Sequence, residues 1–353
     1  MANYDEHKVS ITLSNMAYRI IESDMKIFHQ HKFGRFINTV ITEYKDESIA
    51  SIRTAARNER ERITLLLHPE GGVLSKSEEA TVDLLVASYA QSLRERIHSY
   101  KEESHSTRKV RINKENFDVL SSDGGTEYYD KEDYLNAGSY IKALLEDYAR
   151  QTFTRREGIV FKSIINTINN CKEENRILKV SYTGRDGTTT TYKHKPYKVI
   201  IDEQNGYHYY LGLSYDGPDS GVFYPMRVSR ISDLRPTSMR SHITEKEKHI
   251  INESIKEKGV SYISGDIEVI EVELTPAGVN LYNSIFHLRP VVSEEPSPSH
   301  NGNQIYKFNC TKEQIRNYFF QFGKEAIILT PQELRNEFLW RYKEASNEYE
   351  CQQ

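Results

Sequence analysis

Long apolar runs are missing from this chain: nowhere do about 18 consecutive hydrophobic residues occur, so the sequence offers no helix able to span a bilayer. Cysteine is scarce. Cys171, Cys310 and Cys351 are scattered and odd in number, whereas a disulfide framework needs pairs and a structural zinc site needs closely spaced ligands. Reduced thiols and no metal site are therefore expected. There is no phosphate-cradling Gly-Lys loop, no paired metal histidines and no nucleophile elbow, so the expectation is a non-enzymatic protein without cofactors. The opening stretch MANYDEHKVS has no apolar core and no small-residue cleavage site, which makes a cytoplasmic protein the expectation. A large charge of either sign is also absent: 47 basic residues stand against 51 acidic ones, a net charge of −4. Such a chain can still hold a polyanion if its positive charge is concentrated, because fields decay within roughly 8–10 Å in physiological salt. Where the basic residues gather is thus the functional question.

What is present is length and patterning. A chain of 353 residues with 37% hydrophobic and 28% charged residues implies two or three globular domains with broad polar surfaces. One tryptophan stands against 24 tyrosines, side chains that stack on bases but equally suit half-buried sheets and interfaces.

The front of the chain repeats itself. Lys8 to Leu13 alternates polar and apolar, a half-buried strand with Val9, Ile11 and Leu13 inward. Ser14 or Asn15 caps a helix with Met16, Ile20, Ile21, Met25 and Phe28 at helical spacing, and a second helix opens at Phe33-Gly34-Arg35. Lys109-Val110-Arg111-Ile112-Asn113 repeats the strand at an offset of 101, and Gly138-x-Tyr140-Ile141 repeats Gly34-x-Phe36-Ile37 at an offset of 104. An internal duplication follows. A lone strand leaves unpaired backbone groups, so the two copies are expected to pair with each other. The outer face of that ribbon would carry Lys8, Ser10 and Thr12 from one strand and Lys109, Arg111 and Asn113 from the other. The helix starts at Gly34-Arg35 and Gly138-Ser139 would offer free N–H groups to phosphate. Between the copies, Ser75-x-x-Glu78 signals a capping box before a helix with Val82, Leu85, Val86, Tyr89, Leu93 and Ile97 on one face. Further basic residues cluster at Arg150, Arg155, Arg156 and Lys162. Strand, helix, helix with such a face resembles the ribbon–helix–helix DNA binders. The second copy departs from them in a short first helix (Lys114 to Leu120) and a Gly124-Gly125 insertion.

From Arg176 to Pro236 the pattern turns to short strands at 177–182, 188–194, 196–201, 207–213 and 223–231, with turn signals at Gly184-Arg185-Asp186-Gly187 and Asn205-Gly206. Five strands joined by tight turns predict a small, closed antiparallel barrel. The segment resembles the WYL domain through Tyr182, Lys195-Pro196-Tyr197, the triplet Tyr209-Tyr210-Leu211 and Met226-Arg227-Val228-Ser229-Arg230-Ile231. Where that family carries an arginine four residues before the proline, this chain has Tyr192, beside Lys193. The resemblance implies an Sm-like barrel whose cationic pocket binds a nucleotide or nucleic-acid fragment. Arg227, Arg230, Lys193 and Lys195 would contact phosphate, and Tyr182, Tyr192 and Tyr209 would line it.

Beyond Pro236, Thr244-x-x-Glu247 starts a polar helix to Lys258, followed by strands at 266–274, 305–308 and 326–329 and helices at 311–322 and 332–349. Phe322-Gly323-x-x-Ala326-x-x-Leu329-x-Pro331-x-Glu333-Leu334-Arg335 resembles the extension that follows WYL domains, which implies a ferredoxin-like module for homodimer contacts, with Phe319, Phe320, Phe338 and Trp340 as candidates. The expectation is a multidomain α+β protein: a ribbon–helix–helix-like, mostly helical domain at 1–157, the Sm-like β-barrel at 158–240, and a linker helix with the ferredoxin-like module at 241–353. In this order the modules resemble the WYL accessory proteins of type VI-D CRISPR systems. That implies single-stranded RNA as partner, DNA as the alternative nucleic acid, and stimulation of an RNA-guided ribonuclease. A ligand-responsive DNA-binding repressor is the alternative reading. A third, a ribonuclease built on Arg235 and His242, is disfavoured because Pro236 interrupts their segment.

Overall fold

A computed structural model describes residues 7–100, 104–120, 126–184, 187–202, 205–216, 220–258, 260 and 267–350. The N-terminal hexapeptide, the Gly124-Gly125 insertion, Arg185-Asp186 of the first hairpin turn and Cys351 lie outside them. The chain divides into two compact units, Met1–Ile165 and Asn166–Gln353. Among the described residues no helix is long and apolar enough to cross a membrane. Cys171 and Cys310 are buried free thiols, and burial pushes the Cys310 thiol up to about 12.

The first unit begins with strand β1 (Lys8–Ser14) and helices α1 (Asn15–Ile27) and α2 (Phe33–Tyr44). Ser14 starts α1 by accepting the Ala17 N–H, and the apolar stripe of α2 buries Phe36, Ile37, Val40, Ile41 and Tyr44. Helices α3 (Ile52–Leu67) and α4 (Lys76–Ser99) follow, the latter opened by the Ser75–Glu78 capping box. Only Val82, Ala90 and Leu93 of α4 are buried; Leu85, predicted for its core face, is half exposed. Then come β2 (Ser104–Arg111), α5 (Lys114–Leu120), α6 (Ala137–Arg150) and α7 (Phe153–Val160), while α8 (Lys162–Glu173) runs across the division.

β1 and β2 pair antiparallel, with Val9 opposite Val110. A Cβ on Gly34, at the start of α2, would sit 3.9 Å from Val110, and one on Gly138, at the start of α6, 3.0 Å from Val9. Each run's second helix therefore begins on the other run's strand. Beneath the ribbon three buried carboxylates are fully engaged. Glu146 accepts the Ser14 N–H (2.7 Å) and hydroxyl (2.8 Å). Asp147 accepts the Tyr44 and Ser48 hydroxyls at 2.8 Å. Asp24 accepts the Tyr148 hydroxyl and Arg156. Burying such charges is tolerable only when donors surround them.

The second unit carries two sheets. The first holds β3 (Arg176–Thr183), β4 (Thr189–Ile201), β5 (His208–Ser214), β6 (Phe223–Arg227) and β7 (Ile231–Arg240), in the order β6-β5-β4-β3-β7. The sequence predicts a closed barrel; the structure has an open sheet, with no ladder joining β6 to β7 among the described residues. A three-residue 3₁₀ turn, Val228–Arg230, breaks the predicted 223–231 strand, so β6 and β7 leave it along opposite margins. Conversely, the two strands predicted on either side of Lys195 are one, because a register shift between Pro196 and Lys198 accommodates the proline. Helix α9 (Glu245–Lys258) packs Ile251 against Tyr197, Tyr209, Leu211 and Leu213 on one face of this sheet.

The second sheet is built from β8 (Glu268–Leu274), α10 (Pro276–Ser284), β9 (Ser297–Pro298), β10 (Gln304–Cys310), α11 (Lys312–Phe319), β11 (Ala326–Thr330) and α12 (Gln332–Glu350), with strand order β11-β8-β10-β9. Ile270, Val272, Phe308, Ile315 and Tyr318 form its core. Phe319 and Phe338 are buried there, Phe320 is half-buried, and Trp340 is 61% exposed.

Candidate nucleic-acid interface

In an antiparallel ladder, residues directly opposite share a face. The register places Lys8 opposite Arg111, Ser10 opposite Lys109 and Thr12 opposite Thr107. These six residues form one face of the ribbon; Val9, Ile11, Leu13 and Val110 lie on the other, toward the helices. Lys8, Ser10, Thr107, Lys109 and Arg111 are exposed and Thr12 is half-buried. The Thr12 and Thr107 hydroxyls share a 2.8 Å hydrogen bond. Thr107 was not among the predicted residues, although extending the polar–apolar alternation two residues back from Lys109 reaches it. The result is a narrow strip with three cationic side chains and three hydroxyls.

Asn113, predicted on this face, does other work. Its side chain caps α5 by accepting the Asn116 N–H at 2.9 Å, and its own N–H donates to Asn38 Oδ1 at 2.8 Å. The predicted phosphate sites at the second helices also separate. At α6 the Ser139 N–H is taken by the Asn136 side chain, and the Ser139 hydroxyl accepts the Asn136 N–H in return, a reciprocal capping box. At α2 the cap residue, Lys32, makes no side-chain cap bond, and the exposed Arg35 stands in that first turn. Asn38 ties this helix start to β2 by donating to the Arg111 carbonyl at 3.0 Å.

The other basic cluster is committed internally. Arg150 pairs with Glu146 at 2.8 Å, Arg156 with Asp24 at 2.6 Å, and Lys162 with Glu47 at 2.7 Å; Arg155 also pairs with Glu47. Burial alone would push the Glu47 carboxyl up, but the Lys162 hydrogen bond and the Arg155 charge hold it below the usual range. Arg108 lies against the Tyr18 and Phe33 rings, its guanidinium 4.8 and 5.2 Å from their centroids.

The residues predicted to line a pocket in the five-stranded sheet divide between its faces. Tyr192 is opposite Val180 and Tyr182 opposite Thr190, which puts both on the face of Leu178 and His194. Lys195 is opposite Leu213, Tyr209 opposite Arg227, and Lys193 opposite Lys179, all on the other face, where α9 packs. Side chains alternate along a strand, so one pocket wall cannot hold both sets. Lys193 donates to Asp216 at 2.6 Å, and Lys195 reaches Glu247 of α9 at 3.4 Å. The Arg227 guanidinium lies 3.3 Å from the centre of the Tyr207 ring. Arg230 is half-buried in the 3₁₀ turn, so that turn separates the two arginines. Arg235, of the disfavoured ribonuclease pair, lies in β7 and bonds Asp233 at 2.8 Å.

No protein-family model and no curated protein matches the chain. Among solved structures, the proteasome accessory factor B/C (PafBC) of Arthrobacter aurescens aligns over 65% of this chain and 35% of its own, at 16% identity and a TM-score of 0.27, too low to bear on the fold. A CRISPR Cas-related protein superposes over 99% of this chain and 96% of its own, with a TM-score of 0.72 at 23% identity, and so shares the fold along nearly the entire length.

Proposed function

We propose that this chain is a nucleic-acid-binding regulatory protein of a CRISPR system that holds single-stranded RNA on the β1–β2 ribbon and stimulates an RNA-guided ribonuclease without cutting RNA itself. The observation that carries the reading is the ribbon register, which sets Lys8, Lys109 and Arg111 beside Ser10, Thr12 and Thr107 on one outward face. Lysine and arginine grip phosphates, and the short hydroxyl side chains donate to phosphate, sugar or base. The full-length likeness to a CRISPR Cas-related protein supports the setting. In the second unit, the strand order β6-β5-β4-β3-β7 with its 3₁₀ turn supports a WYL domain whose Sm-like sheet is open. The order β11-β8-β10-β9 with two intervening helices supports a ferredoxin-like module and, with the exposed Trp340, a homodimer. The setting is cytoplasmic, where RNA-guided effectors meet their targets.

An electrophoretic shift comparison of single-stranded RNA, single-stranded DNA and duplex DNA, each with wild type and with Lys109→Ala/Arg111→Ala, tests the proposal. Single-stranded RNA is expected to bind tightest, with the double variant weakened at least about tenfold, as the loss of two phosphate contacts implies. A duplex-specific footprint lost in the same variant would instead favour a DNA-binding repressor, the second reading, because a two-stranded ribbon with this face also fits a major groove.

A further inference from the structure

In the first unit a cavity of about 410 Å³ opens between the C-terminal end of α4, the 132–134 segment and the N-terminal half of α6. It shares none of the ribbon strip's residues. Asp133 lines it. That side chain is 1% exposed, its Oδ1 receives Arg94 Nε at 2.6 Å, and its Oδ2 is buried with no hydrogen-bond partner among the described residues. A buried carboxylate oxygen without a donor is unfavourable, and a guest that brings an N–H relieves it.

The surrounding charge narrows the guest. Arg94, 41% exposed, and the half-buried Lys142 line the same cavity as Asp133, with His98 beside them. With Arg94 bound to Asp133, Lys142 is the cation left to meet an anionic end of the guest. Of the acids present, Glu146 is engaged by Ser14 and Arg150, and Glu132 is exposed. The walls are flat and apolar: Tyr100 and Tyr134 are both nearly buried, Tyr134 donates its hydroxyl to the Ala50 carbonyl at 3.1 Å, and Arg150 lies 4.0 Å from the centre of the Tyr100 ring. Both rings are thereby held in place.

We infer that this cavity binds a nucleotide whose base offers neutral N–H donors to Asp133 while its phosphate meets Lys142, with guanine the preferred base. Guanine presents an imino and an amino N–H side by side. Uracil has a single imino N–H between two carbonyl oxygens, which a carboxylate repels. The volume lies in the lower part of the range of roughly 300–1,000 Å³ typical of small-ligand sites. The nucleotide comes either free or as one unit of a strand.

Calorimetric titration of the full chain with GMP, UMP and guanosine tests this. GMP is expected to bind at least tenfold tighter than UMP. Asp133→Asn, which keeps an oxygen for Arg94 while placing an N–H₂ where an acceptor stood, is expected to erase that preference. Lys142→Gln is expected to weaken GMP several-fold and leave guanosine unchanged. Circular dichroism melts of each variant check that the unit remains folded, and a guanosine-containing trinucleotide competing better than GMP identifies a strand as the source. Equal binding of GMP and UMP, or no heat with either at millimolar concentration, overturns the inference. Lys109→Ala, which weakens the ribbon, is expected to leave GMP binding untouched, so failure here and failure of RNA binding on the ribbon are separable.

Discussion

His194 is wholly buried, with both ring nitrogens lacking hydrogen-bond partners among the described residues. Its ring stacks parallel to Tyr224 at 5.9 Å, beside Tyr192 and Tyr210. Desolvation lowers its pKa to about 4, because a charged imidazole there would lose its hydration without compensation. In the unfolded chain the same group titrates near 6.5. Between these values the unfolded state binds a proton that the folded state refuses, so stability is full above about 6.5 and falls as pH drops toward 4. The loss attributable to this residue approaches about 3 kcal/mol. In His194→Leu, which removes the titrating group and keeps much of the volume, thermal melts between pH ~7 and ~4.5 should show a shallower decline than wild type. Identical declines would mean that other groups carry the acid sensitivity. Buried tyrosines explain much of the compositional excess: Tyr140, Tyr148, Tyr210 and Tyr318 are among the largest fully buried side chains. The tyrosines thus mostly build cores, and base stacking is not needed to account for their number.

At the scale of elements, the two second helices make a controlled comparison. A methyl group on Gly138 would lie 3.0 Å from Val9 Cγ1, 3.1 Å from Asn136 Oδ1 and 3.2 Å from the Ser10 carbonyl oxygen, whereas on Gly34 the nearest atom is 3.9 Å away. Gly138→Ala is therefore expected to cost about 1–2 kcal/mol through crowding of the strand and the cap, while Gly34→Ala gains up to about 1 kcal/mol from helix propensity. Urea midpoints measure both, and equal shifts would contradict the asymmetry. What the sequence made legible here follows physical reach. Alternation at 8–13 and 109–113 exposed the strands and their outward face, and the same spacing at Gly34 and Gly138 exposed the helices, because each depends on neighbours a few residues away. The α6 capping box is also legible, as Asn136-x-x-Ser139 ahead of the Tyr140-Ile141 stripe. The division of Tyr192 from Lys193 is legible, since neighbours in one strand point to opposite faces. That of Tyr192 from Arg227 and Arg230 depends on inter-strand register and on a 3₁₀ turn within an apparently continuous strand. Neither leaves a mark in composition. The Asp133 cavity joins segments about 40 residues apart, and no periodicity connects them.

For the molecule as a whole, a net charge of −4 means that a polyanion is repelled on average and held only where cations outnumber nearby acids. Most of the arginines that first suggested a broad basic surface are tied to carboxylates: Arg150, Arg155 and Arg156 hold Glu146, Glu47 and Asp24. The ribbon strip, with Lys8, Lys109, Arg111 and the nearby Arg35, is a small footprint. A footprint of that size displaces few counterions. With roughly 0.7 of a counterion released per phosphate on a single strand, three or four contacts give a slope of log affinity against log salt near −2 to −3. Fluorescence anisotropy with a labelled single-stranded RNA across a salt series measures it, and Lys109→Ala should bring the slope about 0.7 closer to zero. A slope steeper than about −5 would require a cationic surface well beyond this strip. A slope indistinguishable from zero would mean that phosphates are not what the ribbon holds, and the functional reading built on its register would fall with it.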